Sequence, residues 1–104
     1  MARLNAQPRM EARWRQSVGD HVIALAWSPD GSVVAAAAVS GPITLHDMTN
    51  GAVRHTLPGH AFGTAALSWH PKEPFLASAG QDGKVRVWNT TDGNNSKLHK
   101  LLFE

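Results

Sequence analysis

The chain is built from two similar stretches of sequence. When it is shifted by 42 residues against itself, Trp27 falls on Trp69 and Pro29 on Pro71. Seven further identities accompany these pairs: Ala24 with Ala66, Leu25 with Leu67, Ala35 with Ala77, Ala37 with Ala79, Gly41 with Gly83, Thr49 with Thr91 and Gly51 with Gly93. A repeat of this length indicates one structural unit used twice, the second stacked beside the first.

Each stretch consists of short runs that have the length of β-strands. The eight runs are Val22–Trp27, Val33–Val39, Ile43–Asp47, Val53–Leu57, Thr64–Trp69, Phe75–Ala79, Val85–Asn89 and Lys97–Leu102. Dipeptides that accept the positive φ of tight hairpins lie between or after them: Asp30-Gly31, Asn50-Gly51, Asp82-Gly83 and Asp92-Gly93. No run has the length and 3.6-residue period of an amphipathic helix, so we predict an all-β fold. Four short strands in a repeat of about 40 to 45 residues are typical of a β-propeller blade.

The second repeat resembles the WD40 repeat family. Gly59-His60 opens it, "ALSWHP" (residues 66–71) supplies an apolar run with an aromatic and a proline, and "LASAGQDGKVRVWN" (residues 76–89) closes it with Trp-Asn in place of Trp-Asp. The first repeat keeps "LAWSPDG" (residues 25–31) but departs elsewhere. It has Val18 in place of His60, Ala36 in place of Ser78, Ser40 in place of Asp82, and His46-Asp47 in place of Trp-Asp. The resemblance covers residues 13–102.

The resemblance implies two four-stranded antiparallel propeller blades, part of a WD40 β-propeller, with an N-terminal strand from the position of a preceding blade. We predict a flexible basic arm over residues 1–12, that strand over 13–18, repeat 1 over 19–58, repeat 2 over 59–102 and a C-terminal end at 103–104. Two blades leave both outer faces uncovered, since propellers close with typically four to eight. Three explanations stay open: a fragment of a larger propeller, which we favour, a ring of several copies, or a sheet pair covered by another partner.

By the same resemblance, four polar side chains of repeat 2 form a structural hydrogen-bonded tetrad: His60, Ser78, Asp82 and Trp88. Their chemistry fits, because a carboxylate and a hydroxyl can each bond one imidazole nitrogen and the hydroxyl can also accept from an indole N–H. Ser78 lies in "ASA" and not in the Gly-x-Ser-x-Gly turn of hydrolases, so we predict no catalytic residue. Repeat 1 lacks all four and is expected to be held mainly by apolar packing.

WD40 propellers chiefly bind peptides or proteins through loops at one end of the blades. The resemblance therefore implies a non-catalytic protein-interaction scaffold, whose partner the sequence does not identify. The candidate partner contacts flank the tetrad loops and their counterparts in repeat 1: Asp20, Val39, Phe62 and Gln81. An enzyme or small-molecule-binding propeller is the alternative, but the six histidines lack metal-ligand spacing, and we predict no metal and no cofactor.

Composition argues against several other classes of protein. The formal net charge is only +2, which gives little support to nucleic-acid binding. The chain has no cysteine, so disulfides are excluded. The longest apolar run, Val33–Val39, is far too short to span a membrane, and no signal-peptide core follows Met1. We therefore predict a soluble cytoplasmic protein.

Overall fold

The computed structural model describes residues 12–91 and the backbone of residues 100–103. The strands in these ranges are β1 (Val22–Trp27), β2 (Val33–Ala38), β3 (Ile43–Asp47), β4 (Val53–Leu57), β5 (Thr64–Trp69), β6 (Phe75–Gly80), β7 (Val85–Asn89) and β8 (Lys100–Phe103). Their ends lie within one residue of the predicted runs, except that the predicted start of β8, residues 97–99, lies outside the described residues. Within the described ranges, no helix is long and apolar enough to cross a membrane.

The strands form two sheets, each an antiparallel meander in chain order. Sheet 1 contains β1 to β4, and sheet 2 contains β5 to β8. The predicted fold of two four-stranded antiparallel sheets is confirmed. Even the bulges repeat: they fall at Val22/Ala24 and Thr64/Ala66 in the first strand pairs, and at Leu45/His46 and Val87/Trp88 in the last. Because equivalent bulges are 42 residues apart, the repeat extends to the backbone pairing.

The apolar core lies between the two sheets. Its buried side chains are Ala35, Ala37, Ile43, Leu45 and Leu57 of sheet 1, with Leu76 and Trp88 of sheet 2. Trp69 of β5 packs against this cluster, and its indole N–H donates to the carbonyl oxygen of Ala26 at 3.0 Å. The alanines of β2 take little space, so the large side chains of sheet 2 can approach closely. They adopt a strand although alanine favours helix, because their buried position overrides that weak preference.

The N-terminal strand predicted over residues 13–18 is absent from the structure. These residues are described but pair with no other strand. A strand there would need a preceding sheet as its hydrogen-bond partner, and the described residues form only sheets 1 and 2. The segment is held by a side chain instead: Trp14 donates its indole N–H to the carbonyl oxygen of Met48 at 2.8 Å and stacks on the ring of His46.

Candidate functional site

Four polar side chains of sheet 2 form a continuous chain of hydrogen bonds. Nδ1 of His60 lies 2.9 Å from Oδ1 of Asp82, and Nε2 lies 2.8 Å from Oγ of Ser78. Trp88 donates its indole N–H to the same serine oxygen at 2.9 Å. Placing the ring proton of His60 on Nδ1 satisfies every contact, since Nδ1 then donates to the carboxylate and Nε2 accepts from the hydroxyl. The structure thus brings together the four residues of the predicted tetrad.

The tetrad is buried, which decides what it can do chemically. His60, Ser78 and Trp88 are almost fully inaccessible to solvent, and Asp82 lies at the edge. A substrate cannot reach the Ser78 oxygen, because that oxygen is enclosed and already bonded to an imidazole and an indole. Removing one member would leave its neighbours unsatisfied, at a cost of about 1–3 kcal/mol for each buried polar group. The arrangement suits a structural tie better than a hydrolase triad.

Asp82 is held in its charged form. Its burial alone would raise its pKa, but the hydrogen bond from His60 and that from the amide of Lys84 outweigh this effect. The positive charge of Arg86, whose Nη1 lies 3.7 Å from Oδ2 of Asp82, acts in the same direction. The pKa of Asp82 is therefore lowered from its ordinary value of 3.8. The carboxylate stays a hydrogen-bond acceptor at neutral pH.

Glycines provide the space for the loop that contains His60, residues 58–63 between β4 and β5, which we call the tetrad loop. A Cβ on Gly80 would lie 2.3 Å from both Cβ and Cγ of His60, so any larger residue at this position would displace the imidazole. Gly59 has a φ of +70°, and a Cβ there would lie 1.9 Å from the carbonyl oxygen of Gly41. Thr64 connects the segments that contain Gly41 and His60. Its hydroxyl donates to the Gly41 carbonyl oxygen at 2.5 Å and accepts from the His60 amide at 3.1 Å. Sheet 1 and the tetrad loop are therefore in direct contact.

Sheet 1 has its own buried histidine. His46 stands where Trp88 stands in sheet 2; its Nε2 lies 2.9 Å from the hydroxyl of Thr44 and its Nδ1 lies 3.1 Å from the carbonyl oxygen of Gly51. Trp14 covers the ring in a stacked arrangement, with centroids 6.1 Å apart. Apolar packing fills the core face of sheet 1, where it was expected to be the main contribution, and His46 adds a buried polar centre that the sequence analysis did not predict.

The four candidate partner contacts lie along one end of the sheets, and we call them the loop surface: Asp20, Val39, Phe62 and Gln81. Neighbouring backbone contacts connect them. The Val39 amide donates to the carbonyl oxygen of His21 at 2.8 Å, and the Gln81 amide donates to that of Gly63 at 2.9 Å. A Cβ on Gly63 would lie 2.6 Å from the carbonyl oxygen of Val39. The loops of both sheets thus meet at the same end.

Phe62 is the most unusual residue of the loop surface. Its side chain is 84% exposed, and its φ is +66°, a left-handed conformation that non-glycine residues rarely adopt. It occupies the third position of a turn closed by the Gly63 amide and the His60 carbonyl oxygen, 3.3 Å apart. His60 is the first residue of this turn, so its hydrogen bond with Asp82 also fixes the position of the turn that contains Phe62.

Comparison with known sequences decides the family. A profile described as "WD domain, G-beta repeat" matches residues 51–89, and the WD40 domain of anaphase-promoting complex subunit 4 matches residues 1–65. The chain belongs to the WD40 repeat family. Sheets 1 and 2 are two WD40 blades, and the tetrad lies in the better-conforming second blade.

Two curated relatives illustrate how much of a WD40 protein the chain covers. The WD repeat-containing protein SL1-17 of Schistosoma mansoni is 33% identical over 90 residues, which are 86% of this chain and 30% of the relative. The U5 small nuclear ribonucleoprotein 40 kDa protein of Homo sapiens is 34% identical over 65 residues, 62% of this chain and 18% of the relative. The chain thus spans less than a third of the length of either relative.

Solved structures agree on the fold. The computationally designed Ika4 protein matches with a TM-score of 0.71 at 21% identity, over 90% of this chain and 53% of that one. The β-propeller domain of Cps50 (Swd1) from Myceliophteria thermophila matches with a TM-score of 0.68 at 24% identity, over 83% and 25%. Both are likenesses of fold alone, and the second supports the assignment of sheets 1 and 2 as β-propeller blades.

The structure also shows a cavity at the opposite end from the loop surface. Its volume is about 430 Å³, and it lies between the sheets. Residues of both WD40 blades line it, among them Leu45, Arg54, Trp69, Lys72, Glu73 and Pro74. Within the described ranges no group of three or more His, Cys, Asp or Glu is placed to hold a metal ion.

Several contributing residues were missed from the sequence. Gly80, Thr64 and Arg86 all contact the tetrad loop: Gly80 makes space for the imidazole, Thr64 bonds the His60 amide, and the Arg86 guanidinium donates to the carbonyl oxygen of Gly59. For Gly80 there was a signal. Repeat 1 has Ala38 at the equivalent position and no histidine at Val18, so the glycine and the histidine occur together in the WD40 repeat that has the tetrad.

Proposed function

We propose that this chain is a non-catalytic WD40 protein-interaction module whose loop surface binds a peptide segment of a partner protein. The observation that carries the proposal is Phe62, an aromatic side chain held in solvent on a left-handed backbone. A left-handed backbone at a non-glycine residue costs of order 1–3 kcal/mol. Because the Phe62 side chain is 84% exposed, its packing within the protein offsets almost none of this cost. Strain of this kind is concentrated at binding sites.

The surroundings of Phe62 indicate the chemistry of the peptide. Phe62 and the half-exposed Val39 offer apolar surface, and Gln81 offers an amide that can bond a peptide backbone. The hydroxyl of Ser40 and the amide of His21 bond the carboxylate of Asp20 and hold its pKa below the ordinary value, so it is charged at neutral pH. An apolar side chain next to a basic one would match this surface.

Peptides selected on the chain itself test the proposal. A random peptide phage library is selected on the purified protein, and the recovered peptide is titrated by fluorescence polarisation. Phe62→Ala should weaken binding at least about tenfold, since an aromatic anchor at an interface often contributes more than 1 kcal/mol. Val53→Ala, which also shortens an exposed side chain but on β4, should leave binding unchanged. Equal affinity of all three proteins would contradict the proposal.

A second variant separates binding from folding. Glycine adopts a left-handed backbone without strain, which should stabilise the folded Phe62→Gly variant, whereas its greater freedom in the unfolded chain acts in the opposite direction. We expect the variant to be no less stable in urea than the wild type. Binding of the selected peptide should still be lost. A clear loss of stability would mean that Phe62 is kept for structural reasons.

Three further hypotheses concern the whole protein: the size of its propeller, its location in the cell and its alternative ligand. We favour a chain that serves within a larger propeller, because the matched residues are only 30% and 18% of the lengths of these two relatives, and a ring of several copies is the alternative. We propose an intracellular location, which the U5 small nuclear ribonucleoprotein relative supports. The cytoplasm, which the sequence analysis predicts, is the finer part of this proposal. The alternative of small-molecule binding would use the cavity opposite the loop surface. It would be favoured by a ligand that shifts the indole resonance of Trp69, which lines that cavity.

A further inference from the structure

Both outer faces of the sheet pair have exposed apolar side chains, although Trp14 covers His46 on the outer face of sheet 1. On sheet 1 the Trp27 face consists of Ile23, Leu25 and Trp27, with Leu25 66% and Trp27 60% exposed. On sheet 2 the outer face consists of Ala77, Ala79, Val85 and Val87, none of them buried. Large exposed apolar side chains that lie together on a sheet mark a surface for association.

These two faces are copies of surfaces that already contact each other within the chain. A shift of 42 residues places Trp27 on Trp69 and Leu25 on Leu67, the side chains with which sheet 2 packs on the core of sheet 1. The same shift places Ile43 on Val85. Ile43 is fully buried because sheet 2 covers it, whereas Val85 is 50% exposed. At these positions, each outer face therefore has the same kind of apolar side chain as one half of the internal junction.

A cavity marks where the indole would enter. The outer face of sheet 2 has a cavity of about 280 Å³ lined by Ser68, Trp69, His70, Phe75, Ala77 and Val87. In sheet 1 the equivalents of Ser68, Ala77 and Val87 are Ala26, Ala35 and Leu45. Trp69 sits there: it donates to the Ala26 carbonyl oxygen and packs against the cluster that contains Ala35 and Leu45.

We propose that Trp27 of one copy of this chain enters this cavity on sheet 2 of a second copy and donates its indole N–H to the carbonyl oxygen of Ser68. The occupant is a second copy because both halves of the interface are present on this chain and already fit each other in the internal junction. The contact joins two different faces, so it is head-to-tail and leads to a closed ring or an open chain. About three or four copies would close rings of six or eight blades.

Sedimentation velocity over a concentration series tests the association. The wild type should form species that are multiples of its 11.2 kDa mass, and Trp27→Ala should stay a monomer. Val53→Ala, on the exposed part of β4, should associate as the wild type does. Circular dichroism shows whether each variant is folded. A folded wild type that stays monomeric up to about 1 mM overturns the proposal, and so does a Trp27→Ala variant that associates normally.

Complementation tests the head-to-tail arrangement. Val85→Arg places a charge on the outer face of sheet 2 but keeps Trp27, whereas Trp27→Ala keeps that outer face. Each folded variant should be monomeric alone, and an equimolar mixture should form a dimer through its one intact interface. A mixture that stays monomeric, while the wild type associates, overturns the arrangement. These readouts are masses, so they can fail while peptide binding at Phe62 succeeds.

Discussion

Sheets 1 and 2 follow the same backbone path, down to the position of their bulges, but different side chains hold them. In sheet 2, Trp88 is the last member of a buried chain of hydrogen bonds that begins at Asp82. In sheet 1 the equivalent position is His46, whose hydrogen bonds among the described residues stay within its own hairpin and whose ring is covered by Trp14 from outside the sheet.

The difference shows that the tetrad is not needed to make the fold. Strand alternation, tight turns and apolar burial produce the same four-stranded meander in both repeats. What the tetrad adds is a tie between strands and the loop that precedes them, since His60 lies outside β5 while Ser78 lies on β6 and Trp88 on β7. In sheet 2 this tie supports the turn that presents Phe62, so it has a consequence for binding as well as for stability.

The largest expected effect comes from removing the buried indole. Trp88→Ala should lower the free energy of unfolding by about 3–5 kcal/mol, through lost packing and an orphaned Ser78 and His60. His46→Ala, at the equivalent position of sheet 1, should cost only about 1–2 kcal/mol, because a smaller ring and local bonds are lost. Urea unfolding followed by circular dichroism measures both. Equal losses would remove the contrast between the sheets.

A smaller effect is expected from filling the space beside the imidazole. Gly80→Ala should cost about 2–3 kcal/mol, because its Cβ would fall 2.3 Å from His60 atoms and push the ring from Asp82 and Ser78. The reverse change in sheet 1, Ala38→Gly, should cost about 1 kcal/mol, since no imidazole lies there and only backbone freedom and a methyl group change. If the two changes were equally harmful, close packing against His60 would not explain the glycine.

The smallest effect concerns acid. Because the pKa of Asp82 is lowered by folding, its contribution to stability is complete above the ordinary value of 3.8 and disappears as pH falls through the lowered pKa. Asp82→Asn should be less stable than the wild type at pH 7, with the difference shrinking below pH about 4. In sheet 1, hydrogen bonds from Ser32 and Ser28 lower the pKa of Asp30 to about 2. The Asp82→Asn variant should therefore still lose some stability in acid, through protonation of Asp30. A stability difference that is constant with pH would contradict the role of the Asp82 charge.

Much of this molecule could be predicted from its sequence, because its main signals are local. The 42-residue repeat, alternation over five or six residues and turn dipeptides such as Asp82-Gly83 depend on neighbours in the chain. Resemblance to the WD40 family supplied the tetrad, whose members are spread between His60 and Trp88. Hydrogen-bond chemistry made that set plausible but could not have selected it alone.

What escaped prediction depends on contacts between distant segments. The sequence predicts a strand that includes Trp14, yet its ring packs on His46, because a bulky ring can cover a hairpin without any backbone pairing. The need for glycine at position 80 comes from an imidazole twenty residues earlier. The left-handed φ of Phe62 is not suggested by its residue type, which favours extended backbone. In each case the conformation or residue type is determined by packing in three dimensions, and no local sequence pattern indicates it.

Hydrogen exchange at the indole N–H groups tests the central contrast most directly, because the four tryptophans sample four environments of the molecule. Trp88 bonds a buried serine, Trp69 bonds across the sheet junction, Trp14 is half-buried at the hairpin of sheet 1, and Trp27 is exposed. Followed by NMR at low protein concentration, exchange should be slowest at Trp88, then increase through Trp69 and Trp14 to Trp27. Exchange at Trp88 as fast as at Trp14 would contradict the claim that the tetrad makes sheet 2 the more firmly held of the two repeats.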